Sequence, residues 1–119
     1  MTLERAVIID DDPNFIFILE RMLKREFPAL SISTFTHPGD AFHSITTSRT
    51  DLVITNHGNG SMTGTQLVSR VRAIKPELPI IMVSDNDYIE GEARTAGVNR
   101  FLEKMKVDQL PALIRGLLY

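Results

Sequence analysis

Short apolar runs alternate with longer segments of helical spacing along the whole chain. Most of the runs are rich in β-branched residues, and they cover residues 6–9, 31–35, 52–55, 80–83 and 100–102. Runs of this length and composition predict β-strands, and their nearly continuous apolar character predicts strands that are buried on both faces of a sheet.

The segments between the runs carry signals for helix starts. Asp12 followed by Pro13 predicts an N-cap and a first helical position, in a helix that continues to about Phe27. Pro38 opens a second helix that ends near Ser48. Capping-box spacing predicts the start of a third and a fourth helix, at Thr63 with Gln66 and at Asp87 with Glu90. A fifth helix is predicted by an apolar stripe at Leu110, Leu113, Ile114 and Leu117.

This alternation of five strands and five helices predicts an α/β fold. Strands that are joined by helices run parallel, with right-handed crossovers and helices on both faces of the sheet. Such a sheet places its functional site at the carboxyl ends of the strands, near the point where the strand order reverses. The residues just after each strand are therefore the candidates for function.

Composition narrows the classes of function. A length of 119 residues with 43% hydrophobic content predicts a single domain over residues 1–119. A formal charge of −2 without a basic stripe argues against nucleic-acid binding. The absence of cysteine excludes disulfides, thiolate metal sites and cysteine nucleophiles. A short first apolar run that follows an acidic residue argues against a signal peptide or a membrane span, so a cytoplasmic protein is expected.

Polar side chains follow four of the five predicted strands: Asp10, Asp11, Asp12, Asn56, His57, Ser84, Asp85 and Lys104. Taken alone, the acidic triplet favours an ordinary interpretation, in which Asp12 caps the helix and its neighbours are solvated acids near a helix N-terminus. Adjacent carboxylates at a strand end also suit Mg²⁺, which binds a few carboxylate oxygens and keeps several waters. Acids, a hydroxyl and a lysine at one edge of the sheet together favour a site.

Four stretches carry a family resemblance: "AVIIDDDP", "DLVITNHGNGSMTG", "LPIIMVSD" and "AGVNRFLEK". They resemble the response-regulator receiver domains of two-component signalling, and the resemblance covers essentially the whole chain. It implies a flavodoxin-like (βα)5 sandwich of three layers, with a five-stranded parallel sheet in the order 2-1-3-4-5.

The resemblance also assigns roles by position. It implies that Asp10 and Asp11 are the Mg²⁺ pair, with the backbone carbonyl of Gly58 as a further ligand. Ser84 then resembles the switch hydroxyl and Lys104 the lysine that contacts the phosphoryl group. Phe101 falls where an aromatic side chain reports the switch.

Asn56 occupies the position of the family's phosphate-accepting aspartate. A carboxamide shares its nitrogen lone pair with its carbonyl, so it is not an anionic nucleophile. The site also loses one negative charge, which at ~4 Å and an effective dielectric constant near 20 forfeits roughly 4 kcal/mol of attraction per unit of cation charge before hydration offsets most of it. We therefore expect weak Mg²⁺ binding and no phosphorylation at Asn56.

Two further departures from the family pattern affect the loops. Gly58, Asn59 and Gly60 follow the acceptor position, which predicts a mobile loop or an unusual backbone conformation. Met105 follows Lys104 where the family has a proline in a cis bond. A cis bond before a non-proline residue costs ~2.5–4 kcal/mol, so a trans bond and a displaced Lys104 are expected.

These observations predict a receiver that is not an enzyme and that acts as a protein-binding module. The expected partner is a histidine kinase, a phosphotransfer protein, an output protein or a second copy of the chain. If the first helix buries the stripe that contains Ile18, then Ile16 and Phe17 form an exposed patch for partner binding. A second candidate surface, which includes Phe101, lies on the fourth helix, fifth strand and fifth helix that similar receivers use for output.

Three alternatives stand beside this prediction. A small Mg²⁺-dependent phosphatase or phosphotransfer protein of the haloacid dehalogenase type could use Asp10 and Asp12. His57 could in principle accept a phosphoryl group or bind a transition metal with Asp11, although a solvated loop histidine is the more common case. Asn56 could also be an introduced replacement of aspartate, but one such change would not explain the loop glycines or Met105.

Overall fold

The computed structural model of the chain describes residues 3–58 and 60–119. Strands and helices alternate through these residues: β1 (Arg5–Ile9), α1 (Pro13–Glu26), β2 (Ser31–Phe35), α2 (Pro38–Thr47), β3 (Leu52–Thr55), α3 (Gly64–Ile74), β4 (Ile80–Ser84), α4 (Glu90–Ala96), β5 (Arg100–Glu103) and α5 (Leu110–Leu118). Short 3₁₀ segments precede the last two helices, at Asp87–Ile89 and Lys104–Gln109.

The five strands form one parallel sheet in the order β2-β1-β3-β4-β5. In its middle, Val7 of β1 lies opposite Val53 of β3 on one side and Ser33 of β2 on the other. The predicted fold class and strand order are confirmed. The order reverses between β1 and β3, so their carboxyl ends flank the crevice where α/β sheets place their sites.

Two hydrophobic clusters cover the two faces of the sheet. Side chains of α1 and α5, such as Leu19 and Ile114, pack on one face, and side chains of α2, α3 and α4 pack on the other. Strands β1, β3 and β4 are buried on both faces, as predicted, except for the first residue of β1. The same prediction is wrong for the two edge strands. In β5, Arg100 is exposed and Phe101 is half-buried. In β2, Ser31, Ser33 and Thr34 are exposed. This strand pairs with β1 alone and lies at the edge of the sheet, where the helices leave it partly uncovered.

Local capping signals were correct at two helix starts and wrong at a third. Asp12 caps α1 by accepting from the amide of Asn14, and Thr63 with Gln66 forms the capping box of α3. The capping box predicted at Asp87 and Glu90 is absent, because Asp87 lies in a 3₁₀ turn and the N-cap of α4 is Ile89. Ile89 is buried in the core, so packing rather than a side-chain cap positions the start of α4.

The predicted exposure of Ile16 is wrong by one residue of helical phase. Ile16 is 7% exposed and packs in the core with Leu19 and Leu23, whereas Phe17 and Ile18 are 58% and 50% exposed. Every position from Phe15 to Leu19 is apolar, so the sequence pattern allowed either phase. Packing of α1 against the sheet determines that the stripe with Ile16, Leu19 and Leu23 is the buried one.

No helix in residues 3–58 and 60–119 combines the length and the apolar character that crossing a membrane requires.

Candidate functional site

Three strand ends bring the side chains of Asp10, Asn56 and Ser84 together at the carboxyl edge of the sheet. Asp10 donates its amide to the carbonyl of Phe35 at 3.1 Å, and Asn56 donates its amide to the carbonyl of Ile9 at 3.1 Å. These bonds extend the sheet by one residue beyond β1 and β3. All three side chains are buried, so the site is part of the packed structure.

Asp10 is the most buried charged group of the site. One oxygen, Oδ1, accepts from the backbone amide of Asp12 at 2.9 Å, and the other, Oδ2, lies 3.0 Å from Nζ of Lys104. Burial raises the pKa of Asp10 above its ordinary value, against the opposing effects of the Asp12 amide and Lys104. A carboxylate in this position depends on a nearby cation to stay ionised.

Asn56 makes its side-chain contact with the second acidic residue of the triplet. Its Nδ2 donates to Oδ1 of Asp11 at 3.0 Å. Behind it, α3 approaches the backbone so closely that a Cβ on Gly64 would collide with the carbonyl of Asn56. The amide of Gly64 donates to the carbonyl of His57 at 2.6 Å, which fixes the start of α3 against this loop.

Lys104 reaches into the site from the end of β5. Its Nζ lies 3.0 Å from Asp10, 3.9 Å from Oδ2 of Asp85 and 4.4 Å from the centre of the Phe15 ring. The peptide bond to Met105 is trans, as predicted. The displacement of Lys104 from its place in the family stays a prediction. In this chain the 3₁₀ segment after β5 carries Met105 outward to 84% exposure, while Nζ of Lys104 lies against Asp10.

Ser84 completes the edge. Its Oγ accepts from the amide of Asn86 at 3.1 Å, which holds the turn after β4. A cavity of about 140 Å³ opens between Ser84, Asn56, His57 and Lys104. The side chains that line it are polar, so the cavity suits water or a small ion better than an apolar ligand.

The donor set fits a divalent cation poorly. Asp10 and Asp11 supply carboxylate oxygens of the kind that Mg²⁺ prefers, but Lys104 and Asn56 already contact them. Among the residues that the structure describes, no group of three or more His, Cys, Asp or Glu side chains is placed to hold a metal. The role of the Gly58 backbone carbonyl as a Mg²⁺ ligand stays a prediction.

The loop after β3 carries one backbone feature that the sequence predicted. Gly58 has a φ of 66°, in the left-handed region that favours glycine. The part of the prediction that concerns Asn59 lies outside the described residues. His57, beside this loop, has a buried Nδ1 with no hydrogen-bond partner in the described part of the chain.

The other predicted residues lie away from this cluster. Phe17 is on the outer surface of α1, and Phe101 is half-buried against the cluster formed with α2, α3 and α4. The predicted candidate Asp85 lies 3.9 Å from Nζ of Lys104, whereas sequence reasoning missed Phe15 as a neighbour of this lysine. An aromatic residue in the first turn of the helix after the acidic triplet was the available signal for Phe15.

A family model described as response regulator receiver domain matches residues 6–115. Among curated proteins, the chain is 25% identical over 121 residues to the transcriptional regulatory protein PrrA of Mycobacterium tuberculosis, covering 99% of this chain and 51% of PrrA. It is 27% identical over 112 residues to the DNA-binding transcriptional regulator NtrC of Klebsiella pneumoniae, covering 92% of this chain and 24% of NtrC. The chain therefore spans about half the length of PrrA and about a quarter of NtrC.

Solved structures show the same fold. The response regulator TrrA of Thermotoga maritima, in complex with Mg²⁺-BeF, superposes with a TM-score of 0.88 at 22% identity, covering 97% of this chain and 99% of TrrA. The receiver domain of the histidine kinase CKI1 of Arabidopsis thaliana, complexed with Mg²⁺ and BeF₃⁻, gives 0.83 at 22% identity, covering 96% and 89%. At these identities the likeness supports the architecture alone.

Proposed function

The chain belongs to the response regulator receiver domain family of two-component signalling, and on that premise we propose that it passes on its signal by protein contact, without a phosphoryl group on residue 56. The observation that carries the proposal is the neutral carboxamide of Asn56 at the end of β3, which donates to Asp11. An amide offers no anionic oxygen to attack phosphorus.

The proposal extends to metal binding and catalysis. Mg²⁺ binding at Asp10 and Asp11 is weak, because residue 56 contributes no carboxylate and its amide donates to Asp11. With no acceptor and a weak metal site, the domain is not an enzyme.

Intact-mass measurement after incubation with acetyl phosphate and Mg²⁺ tests the proposal. The natural chain should gain no phosphoryl group, and Asn56→Asp serves as the matched control. An adduct on the control alone locates the missing reactivity at residue 56, and an adduct on neither chain means that further parts of the site have also lost function. A phosphoryl group on residue 56 of the natural chain would overturn the proposal.

The exposed part of α1 is the proposed contact surface. Phe17 and Ile18 project from α1 next to Arg21 and Arg25, around a shallow cavity of about 360 Å³. Glu26 also lines this cavity, but its charge is paired with Arg115. The guanidinium of Arg21 lies 5.6 Å from the centre of the Phe17 ring. Apolar groups rimmed by positive charge suit a protein partner with apolar and acidic side chains.

Charge substitution tests this surface. Phe17→Glu and Ile18→Glu should each weaken binding to the cognate kinase, phosphotransfer protein or output protein at least tenfold in calorimetry. Ile74→Glu is the matched control, since Ile74 is 55% exposed on α3. Sedimentation velocity of the same variants distinguishes a second copy of the chain from another protein. If Phe17→Glu and Ile18→Glu bind the partner as tightly as Ile74→Glu does, α1 is not the contact surface.

The phosphatase alternative has little support. Asp12, the second aspartate of its motif, caps α1 through the amide of Asn14, and Asp10 is paired with Lys104. We expect no release of phosphate from an aryl phosphate. Steady, Mg²⁺-dependent release that Asp12→Asn abolishes would restore the alternative.

A further inference from the structure

Asp10 is too buried to carry its charge alone. The residue is 1% exposed, and its second oxygen, Oδ2, is buried with no hydrogen-bond partner in the described part of the chain, so the contact with Lys104 at 3.0 Å compensates it as an ion pair. An isolated carboxylate in such a place is costly unless a cation or several donors compensate it. In residues 3–58 and 60–119 the structure supplies one backbone amide, from Asp12, and one cation, Lys104.

The ammonium group of Lys104 is held by this protein's own side chains. It lies 3.0 Å from Asp10 and 3.9 Å from Asp85, and its other side faces the ring of Phe15 at 4.4 Å. The lysine side chain is only 17% exposed. A buried ion pair supported by a cation–π contact positions the amine without any phosphoryl group.

Asp11, the second acidic residue, also has a partner within the chain, the side-chain amide of Asn56. Nδ2 of Asn56 donates to Oδ1 of Asp11 at 3.0 Å. Each member of the acidic pair therefore has a partner within the chain, a cation for Asp10 and an amide donor for Asp11.

We infer that Lys104 is the resident cation of this site, and that its ammonium group takes the place of a divalent cation at Asp10, so that Asp10 has a compensating positive charge without metal. The inference rests on the proposed function, because it takes residue 56 as neutral and leaves Lys104 no acidic partner there. Its consequence is competition: a divalent ion binds Asp10 only when the ammonium group leaves.

Mn²⁺ binding to two lysine variants tests the inference. Lys104→Met removes the charge and keeps a flexible apolar chain against Phe15. Lys106→Met, at an exposed lysine two positions further on, is the matched control. Paramagnetic broadening of backbone amide signals reports the Mn²⁺ affinity. We expect Lys104→Met to bind Mn²⁺ at least tenfold more tightly than the natural chain, and Lys106→Met to bind it equally.

Thermal unfolding gives a second readout. Without metal, Lys104→Met should unfold at a lower temperature than Lys106→Met, and millimolar Mn²⁺ should raise the midpoint of Lys104→Met alone, because the ion binds its folded state. If Lys104→Met does not fold, adding Asp10→Asn removes the unpaired charge and should restore folding without restoring Mn²⁺ binding. A double variant that also fails to fold contradicts the inference.

Equal Mn²⁺ affinities for Lys104→Met and Lys106→Met would overturn the inference and leave the proposed function intact. An unchanged midpoint for Lys104→Met would do the same. A phosphoryl adduct on Asn56 of the natural chain would instead overturn the proposed function, so the two failures are distinguishable.

Discussion

The two ends of the central sheet each hold a carboxylate beside a cation, yet the two carboxylates have opposite pKa shifts. At the carboxyl end, burial raises the pKa of Asp10 in spite of Lys104. At the amino end, burial also acts to raise the pKa of Asp51, but the amides of Arg5 and Glu4, together with Arg49, outweigh it and lower the pKa.

The difference comes from the number of donors and from contact with water. Asp51 accepts two backbone amides, at 2.9 and 3.0 Å, and its side chain keeps 11% of its surface exposed. Asp10 accepts one amide and depends on one ammonium group in a dry site. The carboxylate at the amino end stabilises the fold. The carboxylate at the carboxyl end has a pKa that burial raises, and such shifted pKa values are typical of functional sites.

The largest expected effect tests how tightly the carboxyl end is packed. In Gly64→Ala, the new methyl group would collide with the carbonyl of Asn56, so the backbone of α3 or of the loop must move. We expect a loss of about 3 kcal/mol in the free energy of unfolding, measured in urea. Gly39→Ala is the control, because its added Cβ would have no atom within 4 Å. Similar results for both variants would show that the carboxyl end is looser than described.

A smaller effect is expected when a charge is added to the carboxyl end. Asn56→Asp replaces the donor to Asp11 with a second carboxylate, which should lower the free energy of unfolding by roughly 1–3 kcal/mol without metal. Millimolar Mg²⁺ should recover part of this loss, and a further Asp11→Asn change should recover it without metal. Urea unfolding with and without Mg²⁺ measures both, and a variant as stable as the natural chain would contradict the electrostatic argument.

The smallest expected effect lies at the amino end. Asp51→Ala should lose about 1 kcal/mol at pH 7, because two backbone amides and Arg49 lose an ionised partner. The folded-state pKa of Asp51 is lowered from 3.8, so this stabilisation is present above that pH and is lost as the pH falls through the folded value. Urea unfolding from pH 7 downward should therefore show the free energies of unfolding of the natural chain and of Asp51→Ala converging. Asp51→Asn keeps an acceptor oxygen and should lose less.

Helix caps that involve only residues close together along the chain were predictable from the sequence. Asp12 with Pro13, and Thr63 with Gln66, act within one helical turn, and both caps are present. The capping box at Asp87 failed because the burial of Ile89 positions α4. Such burial depends on the rest of the fold and leaves no local signal.

The same division holds for the candidate site. The strand ends located Asp10, Asn56 and Ser84, since parallel strands end at one edge of a sheet. The sequence predicted a displaced Lys104 and did not identify its contacts with Asp10 and Phe15. The phase of α1 was also undetermined, because five consecutive apolar residues fit more than one buried stripe.

By itself, the sequence determined the alternation of strands and helices and the chemical nature of residue 56, because periodicity and covalent structure are properties of the chain. Only the tertiary structure decided which cation faces Asp10, that burial raises the pKa of this carboxyl group, and which side of α1 stays exposed. Charge pairing and desolvation act through space, between groups that lie far apart along the chain.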